Sequence, residues 1–258
     1  MPPHVLILRA PGTNCDQETE LAFARAGALT RRMHINVLLA QPNLFDQFQI
    51  LCIPGGFSYG DDIAAGRILA SQIRHHLADH VRRFRDAGKL ILGICNGFQV
   101  LLKAGVLLAE TAGGAVATLT WNDSRKYEDR WVTLRRSGGP CVLLAGIQQI
   151  QLPVAHAEGK FVTRDARTLD RLTASGQVVL EYQQQDGRDG QRVGYPDNPN
   201  GSMGNVAGVC DPTGRVLGMM PHPERFIDAT HHPQWTRQSA RGAGSGLQVF
   251  QNAVQYFR

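Results

Sequence analysis

No stretch of this 258-residue chain approaches the run of about 20 apolar residues that a membrane-spanning helix needs. The first apolar run, Val5-Leu6-Ile7-Leu8, ends at Arg9 and is too short for a secretory-signal core. These two absences predict a cytoplasmic location and no membrane partner. Cysteine is sparse: Cys15, Cys52, Cys95, Cys141 and Cys210 form an odd, scattered set. There is no C-x-x-C pair and no Cys-plus-His spacing of a zinc site, so no metal is expected. The set fits a reducing compartment with one or two functional thiols at most. Gly-x-x-x-x-Gly-Lys is also missing, and no other glycine-rich loop is followed by a suitable lysine, which argues against an ATP site in the chain. Neither an internal repeat nor a dividing linker is visible. The net charge is +5, mostly from arginine. Yet Arg31-Arg32, Arg82-Arg83 and Arg135-Arg136 sit on patterns of solvated surface, and no basic stretch is interleaved with aromatics, so no nucleic-acid partner is expected.

What is present is the make-up of one large globular domain, here 1–258, with 43% apolar and 19% charged residues. Apolar runs over 5–10, 35–39, 48–53 and 89–94 read as strands. Helical patterns over 16–26, 68–87 and 96–104 alternate with them. Such alternation with short Gly/Pro turns predicts an α/β fold, a mostly parallel sheet covered by helices on both faces. In that architecture functional groups gather at the carboxyl ends of the strands. Pro11-Gly12, Gly55-Gly56 and Cys95 all fall there and can share one cleft. The second half is richer in strands, with candidates at 131–134, 141–144, 178–182, 206–210 and 215–220, the last two joined by the turn Asp211-Pro212-Thr213-Gly214. Residues 183–205 read as a polar surface loop and 229–246 as an irregular insert. A closing helix spans 247–257.

The most informative segment is Lys89-Leu90-Ile91-Leu92-Gly93-Ile94-Cys95-Asn96-Gly97-Phe98-Gln99. An apolar strand meets a cysteine flanked by glycines, and a helical pattern follows. A cysteine at a strand end is usually just a small buried hydrophobe. Gly93-x-Cys95-x-Gly97, however, is the thiol form of the nucleophile elbow. The glycines let strand and helix approach closely, and the helix N-terminus aims free N–H groups at the sulfur.

A cysteine nucleophile needs a base, and the chain has nine histidines. His75, His76 and His80 lie on the polar side of an amphipathic helix. His222, in Pro221-His222-Pro223-Glu224, directly follows an apolar strand. His156 follows Leu152-Pro153-Val154. His222 is the stronger candidate, because Glu224 two residues on can accept its N–H, fix its tautomer and steady the imidazolium. Acyl transfer also needs oxyanion donors. The N–H of Asn96 is one candidate, and the Gly56 or adjacent Phe57 N–H in the turn after residues 48–53 is the other. Gln99 lies one helical turn past Cys95 and on its side of the helix, where a carboxamide can bind a polar substrate side chain.

Gly93-Ile94-Cys95-Asn96-Gly97-Phe98-Gln99 with Pro221-His222-Pro223-Glu224 resembles the class I, or triad, glutamine amidotransferases. Pro11-Gly12-Thr13-Asn14-Cys15-Asp16, Pro54-Gly55-Gly56-Phe57-Ser58-Tyr59-Gly60-Asp61 and Asn198-Pro199-Asn200-Gly201-Ser202 narrow the resemblance to the glutaminase subunits of phosphoribosylformylglycinamidine synthase. The blocks keep the family order over nearly the whole chain. The resemblance implies a flavodoxin-like amidotransferase fold with an extra β-rich C-terminal portion. It implies Cys95 as nucleophile, His222 as base, Glu224 as its partner, Gly56 or Phe57 with Asn96 at the oxyanion, and Gln99 seating glutamine. It further implies that glutamine is hydrolysed through a cysteinyl thioester, and that ammonia passes to a separate synthetase subunit. That subunit converts formylglycinamide ribonucleotide to its amidine in de novo purine synthesis. ATP and Mg would be bound by the synthetase, with no cofactor in this chain, and a small adaptor subunit is a further possible partner.

Three features depart from the family pattern: Ala157 replaces a glycine, Asp62-Ile63 replaces an aromatic-leucine pair, and 183–198 and 229–246 are long. The stretch 119–134 resembles the fused, single-chain form of the synthase, but the chain carries no synthetase domain and is expected to be a subunit or an excised domain. The residues alone leave two other readings open. One is another cysteine hydrolase or thiol-stress protein on a similar sheet, which glutamine hydrolysis would exclude. The other is a non-catalytic regulatory subunit, which loss of the triad would mark.

Overall fold

The computed structural model describes residues 1–184, 193–237 and 241–258. The chain opens with strand β1 (His4–Arg9), helix α1 (Asp16–Arg25), strand β2 (Leu29–His34), short helix α2 (Ile35–Ala40) and strand β3 (Ile50–Ile53). Helices α3 (Arg67–Gln72) and α4 (Ala78–Asp86) follow, joined by a π turn at Ile73–Leu77, and then strand β4 (Leu90–Ile94) and helix α5 (Asn96–Lys103). The second half holds β5 (Ala117–Thr120), β6 (Glu128–Arg136), β7 (Gln149–His156), β8 (Lys160–Thr163), α6 (Ala166–Ala174) and β9 (Val178–Gln183). It ends with β10 (Val206–Cys210), β11 (Val216–Met219) and α7 (Leu247–Gln255).

Nine strands form one sheet in the order β2-β1-β3-β4-β11-β10-β9-β6-β7, and β5 and β8 pair separately. From β2 to β11 every neighbouring pair is parallel. From β11 to β7 every pair is antiparallel. The β-rich second half therefore extends the same sheet. Consecutive strand residues point to opposite faces, and β3 and β4 are buried at every position, so both faces of the parallel half are covered. Helix α5 lies against β3, β4 and β11 and packs on α3, while α1 packs on α7, where Phe23 meets Phe250 edge to face at 4.8 Å.

From β1 the chain winds outward to β2, then returns past β1 to β3 and β4. The reversal falls between β1 and β3, the switch point where a crevice opens beyond the strand ends. The loops after β1, β3 and β4 meet there, as expected for Pro11-Gly12, Gly55-Gly56 and Cys95.

Several expectations need correction. Residues 35–39 are helical, because the strand is the preceding Leu29–His34, at the sheet edge and exposed along much of its length. Residues 142–144 form a 3₁₀ turn instead of a strand. The helix expected over 68–87 is interrupted by the π turn. Within 183–205, residues 185–192 lie outside the described residues, and the remainder is no simple surface loop. Asn198, Asn200 and Ser202 are buried, with Asn200 Nδ2 donating to Tyr182 Oη at 3.0 Å and the Ser202 hydroxyl to Asn200 Oδ1 at 2.7 Å. In 229–246, residues 238–240 lie outside the described residues, and His232 is buried against Trp131, ring centroids 4.5 Å apart.

Candidate active site

β4 ends at Ile94 and α5 begins at Asn96, so Cys95 alone makes the reversal from strand to helix. Its φ of 51° and ψ of −105° are costly for a residue with a side chain, by about 1–3 kcal/mol. The neighbouring glycines remove the obstacles: a Cβ on Gly97 would collide with the Ile53 carbonyl, and one on Gly93 with the Gly97 carbonyl and Leu101. The Cys95 N–H donates to the Met219 carbonyl at 2.7 Å. Its sulfur is buried, 3.7 Å from the carbonyl oxygen of Ala155.

β11 is the parallel neighbour of β4, with Met219 beside Ile94. The chain leaving β11 therefore enters the crevice next to Cys95, and Pro221-His222-Pro223-Glu224 is that chain. The His222 N–H donates to the Pro153 carbonyl at 2.9 Å. His222 Nδ1 and Glu224 Oε1 are 2.6 Å apart, and each residue is only 1% exposed. Burial opposes a charged imidazole. The Glu224 carboxylate outweighs it, with contributions from Cys95 and Cys15, and His222 is held well above the ordinary histidine range. With Nδ1 on the carboxylate, Nε2 remains for Cys95. It is buried without a closed hydrogen bond, the loose contact common at catalytic pairs in a free enzyme.

The oxyanion candidates divide. The Phe57 N–H donates to the Gly12 carbonyl at 3.0 Å, so that donor is engaged in this conformation. Gly56 remains, at φ 133°, in a conformation that suits glycine; a Cβ there would strike the Asn14 amide. Asn96 is buried at the start of α5. Its side chain accepts from the Ser58 N–H at 3.3 Å and donates to Asp61 Oδ1 at 3.1 Å and to Gln99 Oε1 at 2.9 Å. Burial pushes the Asp61 carboxyl up to about 6. Gln99 is likewise buried, and its Nε2 donates to the Glu158 carbonyl at 2.5 Å. Each end of that carboxamide makes one bond within the protein, so Gln99 braces Asn96 and the 157–159 loop and keeps a second N–H and a second lone pair. Tyr127, within electrostatic reach of Cys95 and His222, stacks on Phe57 with ring centroids 6.4 Å apart. Both rings are partly exposed and cover the outer side of the site.

His156 is also buried. Burial and the neighbouring His222 push it down to about 3, too weak a base for proton transfer near neutral pH. Cys15 went unassigned in the sequence, yet its sulfur borders His222 and accepts from Arg225 Nη2 at 3.2 Å. The signal for it was positional: Cys15 follows β1, one strand from the Gly55-Gly56 turn, and a Cβ on Gly55 would press on both His222 and the Cys15 sulfur. Cys15, His222 and Glu224 offer one donor atom each within 4.8 Å of one another. Nδ1 is already bonded to the carboxylate, and the Arg225 guanidinium puts positive charge on the sulfur, so the trio is poorly suited to a cation. A cleft of about 770 Å³, lined by Lys160, Tyr195, Asn198 and Met203 among others, contains none of these residues.

Residues 2–257 match the CobB/CobQ-like glutamine amidotransferase domain family. The chain is 44% identical over 254 residues to the phosphoribosylformylglycinamidine synthase subunit PurQ of Dehalococcoides mccartyi, covering 98% of this chain and 97% of that one. Against PurQ of Methanococcus maripaludis the identity is 39% over 269 residues, covering 100% and 99%. The solved structure of PurLQS from Thermotoga maritima matches with a TM-score of 0.74 at 29% identity, over 100% of both chains. A glutamine amidotransferase from Thermotoga maritima shares the fold alone, with a TM-score of 0.52 at 12% identity over 92% of this chain and 82% of that one. Matched end to end by that domain family and by subunits of a single synthase, the chain belongs to the glutamine amidotransferases, among the PurQ subunits of phosphoribosylformylglycinamidine synthase.

Proposed function

We propose that Cys95, His222 and Glu224 hydrolyse glutamine to glutamate and ammonia, and that the ammonia serves a synthetase subunit making formylglycinamidine ribonucleotide. Cys95 gives its proton to His222 Nε2, and its sulfur attacks the γ-carbonyl carbon. The N–H groups of Gly56 and Asn96 hold the oxyanion. His222 then passes the proton to the amide nitrogen as the C–N bond breaks. Ammonia leaves and a cysteinyl thioester remains. Water, losing a proton to His222, attacks the thioester; glutamate departs and the thiol is restored. Glu224 keeps its charge throughout and holds Nδ1–H in place. The raised basicity of His222 suits a group that must carry a proton until the leaving nitrogen takes it.

The observation that carries this reading is the strained Cys95 on β4, with β11 beside it delivering the buried His222–Glu224 pair at 2.6 Å. Gln99 acts by bracing Asn96. We place ATP and Mg on the synthetase, count a small adaptor subunit among the partners, and assign the complex to the cytoplasm. Among the described residues no helix is long and apolar enough to cross a membrane. The test is co-purification with the synthetase from the same source, followed by an assay for glutamine-dependent amidine formation. An electrophilic glutamine analogue should label Cys95 in that complex. Labelling elsewhere, with activity surviving in Cys95→Ser, would reject the assignment.

A further inference from the structure

His156 has no part in the steps above, yet the bonds around it decide which ring nitrogen carries its proton. Asn122 is fully buried and its whole carboxamide is in use. Nδ2 donates to the carbonyls of Lys126 at 2.9 Å and His156 at 2.8 Å. Those partners can only accept, so the other atom is the oxygen, and it accepts from the Gly159 N–H at 3.0 Å. The same Oδ1 lies 3.2 Å from His156 Nδ1. Nδ1 must therefore be the donor, and Nε2 is the bare nitrogen with its lone pair. That Nε2 is buried and has no hydrogen-bond partner. Leaving a buried acceptor unpaired costs about 1–3 kcal/mol, so the atom calls for a donor.

The segment that carries His156 walls the catalytic chamber. The Pro153 carbonyl accepts from the His222 N–H at 2.9 Å, the Ala155 carbonyl is 3.7 Å from the Cys95 sulfur, and the Glu158 carbonyl accepts from Gln99 at 2.5 Å. Gly159 lies directly against the imidazole, where any Cβ would overlap it. The nitrogen released in this chamber bears N–H bonds and little else.

We propose that His156 Nε2 accepts a hydrogen bond from the departing ammonia and so steadies it on its way out of the site. This rests on the glutaminase reading above. No covalent bond to His156 forms or breaks. His222 protonates the nitrogen as the C–N bond breaks, and NH₃ then donates one N–H to Nε2. His156 stays neutral, because ammonia is much the stronger base and does not give up a proton to it.

The test counts glutamate released and amidine formed, side by side, in the complex with the synthetase. Wild type should give close to one amidine per glutamate. His156→Leu should slow glutamate release by no more than about tenfold, the worth of one neutral hydrogen bond, while amidine per glutamate falls clearly below wild type. His156→Gln, whose side-chain oxygen can stand in for Nε2, should restore the ratio. His156→Asn, too short to present an acceptor there, replaces the leucine variant if that one does not fold. External ammonium should support amidine formation equally in every variant. An unchanged ratio in His156→Leu overturns the inference. So does a raised KM for glutamine with kcat and ratio intact, which would make His156 a binder of glutamine itself. A wild-type complex that forms amidine from ammonium but releases no glutamate would instead refute the glutaminase reading.

Discussion

The Phe57 amide and the Gly12 carbonyl are joined at 3.0 Å, so the turn after β3 is latched to the loop after β1 through one of the two amides that could face an oxyanion. If Gly56 holds the oxyanion as proposed, the latch makes the turn's exact placement decisive, since a donor must sit roughly 2.7–3.1 Å from the oxyanion. The isolated chain is expected to turn over glutamine slowly, and binding a synthetase loaded with its substrates is expected to raise the rate by adjusting this turn. Glutamate release by the chain alone and in the complex measures the difference, and equal rates would count against the idea. Gly56→Ala, forced against the Asn14 amide, should cost on the order of 10²–10³-fold in kcat with the far-ultraviolet spectrum unchanged.

Cys95→Ser should abolish glutamine-dependent amidine formation, because a hydroxyl is far less acidic than a thiol and the same base cannot activate it. High ammonium should still drive the reaction in the mutant complex, since the synthetase site is untouched. Failure of ammonium to rescue would show that the two activities are not divided as described.

His222→Ala should lose about 10²–10⁴-fold in glutamate release, the usual cost of removing a general base. Glu224→Ala should lose less, because the carboxylate acts through the imidazole. His156→Ala should slow hydrolysis much less than either. An equal or larger loss at His156 would mean that the wrong histidine has been assigned as base.

The two histidines should also bend the stability curve in opposite directions. His156 takes a proton near pH 6.5 when unfolded and near 3 when folded. Between those values the unfolded chain binds the extra proton, so stability falls as the pH falls. The whole contribution, on the order of 5 kcal/mol, is present above pH 6.5 and gone below about 3. His222 is raised; its contribution is complete below the unfolded value and fades as the pH climbs through the folded one. Urea unfolding across about pH 4–6.5 should show a shallower slope in His156→Gln than in wild type. Identical slopes would contradict a buried, neutral His156.

The elbow and the His-x-Glu pair were legible because each is local: a few residues set strand, turn and helix, or place a carboxylate beside an imidazole. β2 was not, because Leu-Thr-Arg-Arg-Met-His at a sheet edge has only one strand neighbour and little need for apolar residues. The apolar Ile35–Ala40 beside it imitated a strand. β7 was hidden by Pro153, which a strand tolerates here because β7 closes the other edge of the sheet. The contact of Cys15 with His222, and the lock of Asn122 on His156, join residues far apart in sequence, where periodicity carries no information. The bonds of Gln99 to Asn96 and the Glu158 carbonyl could not be read from the helical pattern, because Glu158 lies far away in sequence.

The insertion of β11 between β4 and β10 sets the order in which this protein acquires its chemistry during synthesis. The nucleophile's strand is complete by residue 94, but its neighbour in the sheet is not made until residue 219, and the base arrives three residues later. Until then β4 has an open edge, and Cys95 lacks both the Met219 carbonyl that fixes its amide and the histidine that activates it. Pairing across so long a loop is also slow to form. If Cys95 and His222 act as proposed, a growing chain that has not yet added β11 and His222 is chemically silent.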